Sequence, residues 1–557
     1  VSELRVRLSR LPAERVAVSR DDGSEPFALD LAELAAYVAD HEGGPVRPRW
    51  VWDDTARWHA LLLDAGVRVA RCHDLRLCRR VLRRAPAVDQ TLLAGEDAAR
   101  WDRLGPASAS EPALFVADDR AEHLAADAED ERQQRAVAAS AEAGRLALLL
   151  AAESSGALVA AELRWAGMPW RVDVHEQLLA ERLGPRPPRG TRPARLAALA
   201  AEVGELLAAP GLNPDSRPEL MAALRRQGLD VPDVRAWTLR RLDHPVVEPL
   251  IAYKQLAHLL ATNGWEWLDA WVRDGRFRAG YQPGGSSTGR WASDGGGALS
   301  LPAMVRPAAV ADDGWRLVVA DVAQLEPRVL AGMSGDTALA RAARGGDLYQ
   351  AMADTGAVET RSDAKLGLLG AMYGATSGES GRLVADLTRR YPRAFGLVEE
   401  AARAGERGQP VRTLLGRGSP PIGEESGELW AGDLDAPPAD DASLARQDRL
   451  RRAYGRFTRN FVVQGTGAEW ALCWIADLRN RLWALPSTPG AALTERPHLV
   501  AFLHDEVVVH TPAALAEDVE REVRAAAAAA GRLLFGDAPL DFPLSVSVVT
   551  SYAEASK

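Results

Sequence analysis

Apolar and polar positions follow two rhythms along the chain. Period-two runs rich in β-branched and aromatic residues predict strands at 15–18 (RVAV), 49–52 (RWVW), 315–321 (WRLVVAD) and near SVSVVT towards the C-terminus. The double run 498–511 (HLVAFLHDEVVVHT) predicts a hairpin. The segment 60–69 (ALLLDAGVRV) reads as a helix end, a glycine and a strand. The Ala-rich stretch 122–168 reads as helix interrupted near 154–156, and 165–285 as mostly helical with a Pro-rich break at 184–193. Helices are expected across 335–407, and one long helix from Leu444 to about Leu482. A Gly/Ser-rich loop is expected at 280–297 and an exposed Gly/Pro/acidic loop at 415–442.

Composition narrows the class. At 557 residues the chain exceeds one hydrophobic core, so two to four domains are expected. The net charge of −10 argues mildly against a nucleic-acid binder, but a large enzyme needs only one basic cleft. Local constellations therefore outweigh the total. The three cysteines do not form a disulfide framework, and Cys72, His73 and Cys78 lack paired zinc spacing, so core thiols are expected. No apolar run reaches about 20 residues, so neither a membrane span nor a membrane partner is expected. With no signal-like h-region at the N-terminus, the expectation is a cytoplasmic protein.

Two acidic segments carry candidate chemistry. Asp321 closes an apolar strand and is followed by Gln324-x-Glu326-x-Arg328. A helix cap is the simple alternative for it. His504, Asp505 and Glu506 lie between two apolar runs, where a plain β-turn is the simple alternative. If Asp321 and Asp505 meet in space, they can bind two Mg²⁺ ions about 4 Å apart, as an in-line displacement at phosphorus requires. Between them, Arg361, Lys365, Leu369 and Tyr373 recur every four residues and form one helical stripe, with Gly374 behind the ring. Its cations suit phosphate oxygens; a solvated basic face with one core tyrosine is the alternative.

Taken in order, these segments resemble motifs A, B and C of family A DNA polymerases, the family of bacterial DNA polymerase I. Thr288-Gly289-Arg290 resembles the family's T-G-R segment, and Arg456, Asn460, Gln464 and Gly465 its R-x3-N-x3-Q-G helix. The similarity covers most of 240–557 and, more faintly, the N-terminal half. It implies a multidomain α/β fold: an RNase H-like 3′–5′ exonuclease-like domain at 1–164, then a right-hand polymerase domain at 165–557. The thumb is expected at 165–285, the palm at 286–340 and 491–557, the fingers at 341–490.

The resemblance also implies roles. Asp321 and Asp505 would hold two Mg²⁺ ions, replaceable by Mn²⁺, with Glu506 close by. Arg361 and Lys365 would bind the dNTP triphosphate, with Lys365 a general acid toward pyrophosphate. Gln324, Tyr349, Leu369 and Tyr373 would line the nucleotide site, and Glu326 would exclude the 2′-hydroxyl. Thr288, Arg290, Lys254, Arg456, Asn460, Gln464 and His504 would contact primer–template DNA. A monomeric bacterial enzyme at the nucleoid is expected; a decayed, non-catalytic DNA-binding protein is the alternative. A single-subunit RNA polymerase shares the hand, but Glu326 in its Q-x-E-x-R pattern points to DNA.

The chain departs from the family in several places. Leu369 stands where Phe or Tyr is usual, Tyr349 where a His is common, and Pro327 follows the gate glutamate, so the helix there is expected to start near Gln324. The N-L-Q-N-I-P segment is reduced to ALSLP at 298–302. In the N-terminal half the nuclease carboxylates are not found. The strand RVAV continues as Ser19-Arg20-Asp21, Trp58 falls near an expected Asp, and 138–145 offers no Tyr-x3-Asp. An inactive nuclease-like platform is expected. The opposite reading needs Asp21, Asp53, Asp54 or Asp74 to assemble a site that retains weak exonuclease activity.

Overall fold

The computed structural model describes residues 3–105, 125–297, 299–374, 378–422 and 441–555. It divides into two compact units. The first comprises Val1–Ala166, Gly280–Leu299 and Gly314–Val548, the second Gly167–Ala279, Ser300–Asp313 and Val549–Lys557.

The first unit holds two larger sheets. The N-terminal one has five strands in the order Phe27–Asp30, Arg15–Arg20, Arg5–Leu11, Arg49–Trp52, Cys72–Asp74. The first three are antiparallel; the last two run parallel to Arg5–Leu11. Period-two alternation puts Val6, Leu8, Val16, Val18, Trp50 and Trp52 into one core. RVAV is thus the second strand. The first is RVRLSRL, a run with three arginines whose alternation the eye passes over.

Other expectations also change. Residues 67–69 form no strand, and the parallel edge is Cys72–Asp74. The Ala-rich stretch breaks at 140–142, not at 154–156, giving helices Ala126–Ala139 and Ala143–Ala166. Ser154 and Gly156 remain helical because burial uses them. Ser154 Oγ donates to Leu150 O and accepts from Asp74 N, while a Cβ on Gly156 would lie 2.7 Å from Leu472 Cδ2. Helix Ala143–Ala166 has the length and apolarity of a membrane span, but 78% of its most apolar window is buried in protein, as in a core helix. Cys72 and Cys78 are both buried, on neighbouring cores, and burial pushes the Cys72 thiol up to about 12.

The second sheet has four strands in the order His498–Leu503, Glu506–Pro512, Trp315–Val322, Leu544–Val549. Helix Ala516–Phe535 covers Trp315–Val322 and Glu506–Pro512. The 44-residue helix Asp441–Ala484 packs against it and against helices Ala143–Ala166 and Pro392–Glu406. Val318, Ala320, Val507, Val509, Trp470 and Trp474 belong to the shared core. Each large side chain buried there stabilises by about 1.5–3 kcal/mol. The Gly/Ser-rich segment is a short hairpin, Gly280–Gln282 with Ala292–Gly295, rather than a loop throughout. Residues 415–420 are buried, contrary to the expected exposed loop; 423–440 and Ala298 lie outside the described residues.

The second unit is mainly helical, with Ala194–Leu206 and Val247–Asn263 packed together. It also takes in 300–313 and the C-terminus: Arg171 N donates to Ala308 O, and Ala311 N to Thr550 O. Trp170, His175, Trp267 and Phe277 form an aromatic cluster beside its three-stranded sheet. Lys254 stands here on Val247–Asn263, at a pocket with Arg217 and Arg235.

Candidate active site

Asp321 and Asp505 are brought together by strand pairing. Trp315–Val322 runs antiparallel to Glu506–Pro512 with Asp321 opposite Glu506, and Val322 N donates to Asp505 O at 2.9 Å. The two-residue turn His504-Asp505 joins the hairpin, with His504 at φ +64°. A non-glycine residue in that region is strained, and such strain clusters at functional sites. Asp505 is accessible from the cleft, yet crowding by protein, and then the negative charge of Asp321, push its carboxyl up to about 6. Two carboxylates repelling one another at a strand edge suit cations. Among the described residues no three His, Cys, Asp or Glu side chains close a metal cage. An ion sharing its shell with substrate phosphate needs no cage, so the pair fits Mg²⁺.

Beside the turn lies a cleft of about 330 Å³, lined by Arg290, Glu326, Tyr349, Leu369, Tyr373 and His504 among others. Helix Leu325–Ser334 starts after Gln324, which takes φ +57° as its N-cap, and Pro327 fits the first turn. Glu326 is clamped from both sides: Arg290 Nη2 donates to Oε1 at 2.5 Å and Tyr373 Oη to Oε2 at 2.7 Å. Arg328, fully buried, donates to the carbonyls of Ala323, Ala343, Gly345, Gly346 and Asp541, and so pins the helix to the following loop.

Helix Arg361–Tyr373 begins at a Thr360/Asp363 capping box and ends at Gly374 with φ +79°. The expected stripe is present. Arg361 and Lys365 are exposed, Leu369 and Tyr373 line the cleft, and Lys365 has no ion-pair partner among the described residues. Arg361 Nε donates to Asp347 Oδ2 at 2.6 Å, and its guanidinium lies 5.8 Å from the Tyr349 ring. Asp347 also caps helix Leu348–Asp354 and accepts from Gln324 Nε2. Tyr349 is buried; burial, then the charge of Glu326, push its hydroxyl up to about 12.

Helix Asp441–Ala484 carries Arg456, Asn460 and Gln464 at four-residue steps, hence on one face. Arg456 packs against Gly374, where a Cβ would lie 3.2 Å from its Cγ. Asn460 Oδ1 is a buried acceptor without a hydrogen bond. At Gly465 a Cβ would meet Thr413 Cγ2 at 2.5 Å and Thr288 O at 3.2 Å, so this glycine lets the T-G-R turn approach. Thr288 itself is buried against Ser286. Burial, and then the charge of Arg290, lower the His504 pKa. The sequence reading missed the cleft floor of Trp291, Leu325, Ala468, Leu472 and Phe502. These apolar positions look like ordinary core until the fold opens a groove over them.

The acids of the N-terminal sheet are held by the protein itself. Strand Arg5–Leu11 carries none, and its i, i+2 positions Arg5 and Arg7 both bind Asp130. Asp130 lies on helix Ala126–Ala139, largely upstream of 138–145. The other acids are committed elsewhere. Asp21 accepts from Arg5 N, Asp53 from Trp58 Nε1, Asp54 from Ala56 N and Arg76, and Asp74 from Thr55 N and Leu77 N.

A family model described as DNA polymerase family A matches residues 195–553. The chain is similar to the thermostable DNA polymerase I of Thermus filiformis, 29% identical over 336 residues, covering 55% of this chain and 36% of that protein. Its likeness to the thermostable DNA polymerase I of Thermus thermophilus is 30% over 333 residues, with the same coverage. For DNA polymerase I of Chloroflexus aurantiacus it is 27% over 312 residues, 50% of this chain and 30% of that one. The chain thus spans about a third of the length of the curated relatives it matches. Among solved structures, the POL domain of Pol1 from M. smegmatis, in complex with DNA primer-template and dNTP, is 18% identical with a TM-score of 0.68. The match covers 100% of this chain and 96% of that one, a likeness of fold.

Proposed function

The chain belongs to DNA polymerase family A, and from that premise we propose that it extends a primer 3′-hydroxyl along a DNA template with dNTPs, without proofreading. The observation that carries the reading is the juxtaposition of Asp321 and Asp505 beside the cleft that helix Arg361–Tyr373 lines. Asp321 and Asp505 would hold two divalent ions, Mg²⁺ or Mn²⁺. When bound, these would activate the primer hydroxyl and neutralise the departing pyrophosphate.

Arg361 and Lys365 would take the triphosphate. The exposed Arg361–Asp347 pair is weak enough to yield to phosphate. Lys365 is then placed to protonate pyrophosphate. Glu326, fixed by Arg290 and Tyr373, would stand against the 2′ side of the sugar. Arg290, Gln464, Arg456, Asn460 and His504 would follow the primer–template pair, and Lys254 the duplex. The order of the N-terminal sheet, three antiparallel strands then two parallel, supports an RNase H-like domain. Its Arg5/Arg7–Asp130 cluster supports loss of cleavage.

Primer extension with Mg²⁺ and dNTPs tests this, beside Asp321→Ala and Asp505→Ala. Extension surviving either substitution refutes the assignment, and none by the unaltered protein favours a decayed DNA-binding role. End-labelled DNA without dNTPs tests the nuclease: chelation-sensitive shortening would overturn the platform reading.

A further inference from the structure

Helix Leu75–Arg84 of the N-terminal platform carries five arginines, and they are used unequally. Arg76 binds Asp54, Arg79 binds Asp102 and Glu129, and Arg83 reaches Asp102 and Gln90. Arg80 has no hydrogen-bond or ion-pair partner among the described residues. It lines a second cleft with Arg84, Arg417, Glu153, Ser286 and Ser287.

Arg417 is 93% buried and paired with Glu153, while its Nε is a buried donor with no acceptor. A buried guanidinium nitrogen left this way is costly unless something accepts from it. Among the described residues Glu153 is the one acid lining the cleft, against three guanidinium groups. Partial burial, then the like charges of Arg76 and Arg84, lower the Arg80 pKa, with Arg417 adding to the effect and Glu153 opposing it. The free space is about 20 Å³, room for about one water-sized atom such as a phosphate oxygen and too little for a base or sugar. Ser286 and Ser287 run directly into Thr288-Gly289-Arg290, and Arg290 reaches the active cleft. A Cβ on Gly289 would lie 2.6 Å from Arg417 Cζ, so the two clefts share the two sides of one turn.

The geometry points to a phosphate subsite in which Arg80, Arg84 and Arg417 receive a backbone phosphate of the bound duplex. The nuclease-like platform then serves as part of the DNA grip. This rests on the polymerase reading above, in which Arg290, on the same turn, contacts DNA. Phosphate contacts position a duplex without reading its sequence.

The test is the salt dependence of binding to a fluorescein-labelled primer–template, comparing Arg80→Ala with Arg83→Ala. Both remove one charge from one helix, but only Arg80 faces the cleft. Arg80→Ala is expected to weaken binding about threefold to tenfold and lower the slope of log K against log salt by about 1. Arg83→Ala should leave both unchanged, and Arg80→Lys should restore part of the slope. Equal slopes for Arg80→Ala and Arg83→Ala, with duplex still bound, overturn this subsite alone. So does loss of the Arg80 effect only when inorganic phosphate competes at constant ionic strength, which would mark a free-anion site. Failure of the unaltered protein to bind the duplex overturns the polymerase reading and the subsite together.

Discussion

Carboxylates gather at the ends of inner strands, the terminal edges of two sheets, and their electrostatics are opposite. On the N-terminal sheet, Asp130 is fully enclosed and meets Arg5 and Arg7. Burial alone would raise its pKa, but the hydrogen bond and charge of Arg5, then His73 and Arg7, bring it below the ordinary value. On the second sheet, Asp505 meets Asp321, and burial and repulsion act in the same direction to raise it. At the first edge arginines answer the carboxylate, whereas at the second a neighbouring carboxylate pushes Asp505 up. A fully buried carboxylate held by two arginines serves as scaffold, whereas two carboxylates set against each other make a place for a cation.

The largest expected effect separates the two in one assay. Asp505→Asn or Asp321→Asn should cut primer extension by about 10³-fold or more, since each removes a ligand of the ions that carry the charge of the reaction. Asp130→Asn should leave extension within about twofold. Comparable losses at both edges would erase the distinction.

Stability should move the other way. Asp130→Ala leaves two largely buried guanidinium groups without their carboxylate and should cost about 3–5 kcal/mol, read from urea unfolding. The sign with pH follows from the lowered pKa. Asp130 contributes in full above its unfolded value near 4, and its contribution fades as pH falls through the folded value. The gap between wild type and Asp130→Ala should therefore shrink below about pH 4. A gap that widens on acidification would mean Asp130 is not the paired anion described.

How much of this was readable in the sequence follows the same division. The active edge was legible because its signals are local: apolar runs ending in Asp321 and flanking Asp505, and a four-residue stripe from Arg361 to Tyr373. Period and composition carry such features into structure almost directly. The N-terminal edge was misplaced by a strand. RVRLSRL hides its alternation under three arginines, and those arginines make sense only with Asp130, more than 120 residues away. The break assigned to 154–156 failed for a similar reason. Ser154 and Gly156 are poor helix formers, but Asp74 and Leu472 make them useful inside a core. Likewise the 415–420 segment carries loop residues, yet Glu469 accepts from Thr413 and Leu415 N and draws it inward.

A smaller effect sharpens the contrast without any activity measurement. Asp505→Asn removes the repulsion with Asp321 and should stabilise the metal-free protein slightly, by about 1 kcal/mol or less given its exposure. Thermal unfolding in EDTA should shift upward, and the further rise on adding Mg²⁺ should be lost. An unchanged Mg²⁺ response would put the ions elsewhere.

The smallest effect concerns the cleft beside the active edge. Leu369 occupies the face of helix Arg361–Tyr373 that lines the cleft, and a branched aliphatic side chain there gives up the stacking an aromatic ring would offer. Aromatic stacking is worth about 0.5–1.5 kcal/mol, so Leu369→Phe should lower the dNTP KM about twofold to tenfold in single-nucleotide incorporation. Because the ring would meet the nucleotide in ground and transition states alike, kcat should stay within about twofold. A change confined to kcat would mean that position 369 acts on helix movement rather than on the bound nucleotide. The cleft would then differ from the neutralised edge by its motion as well as by its charge.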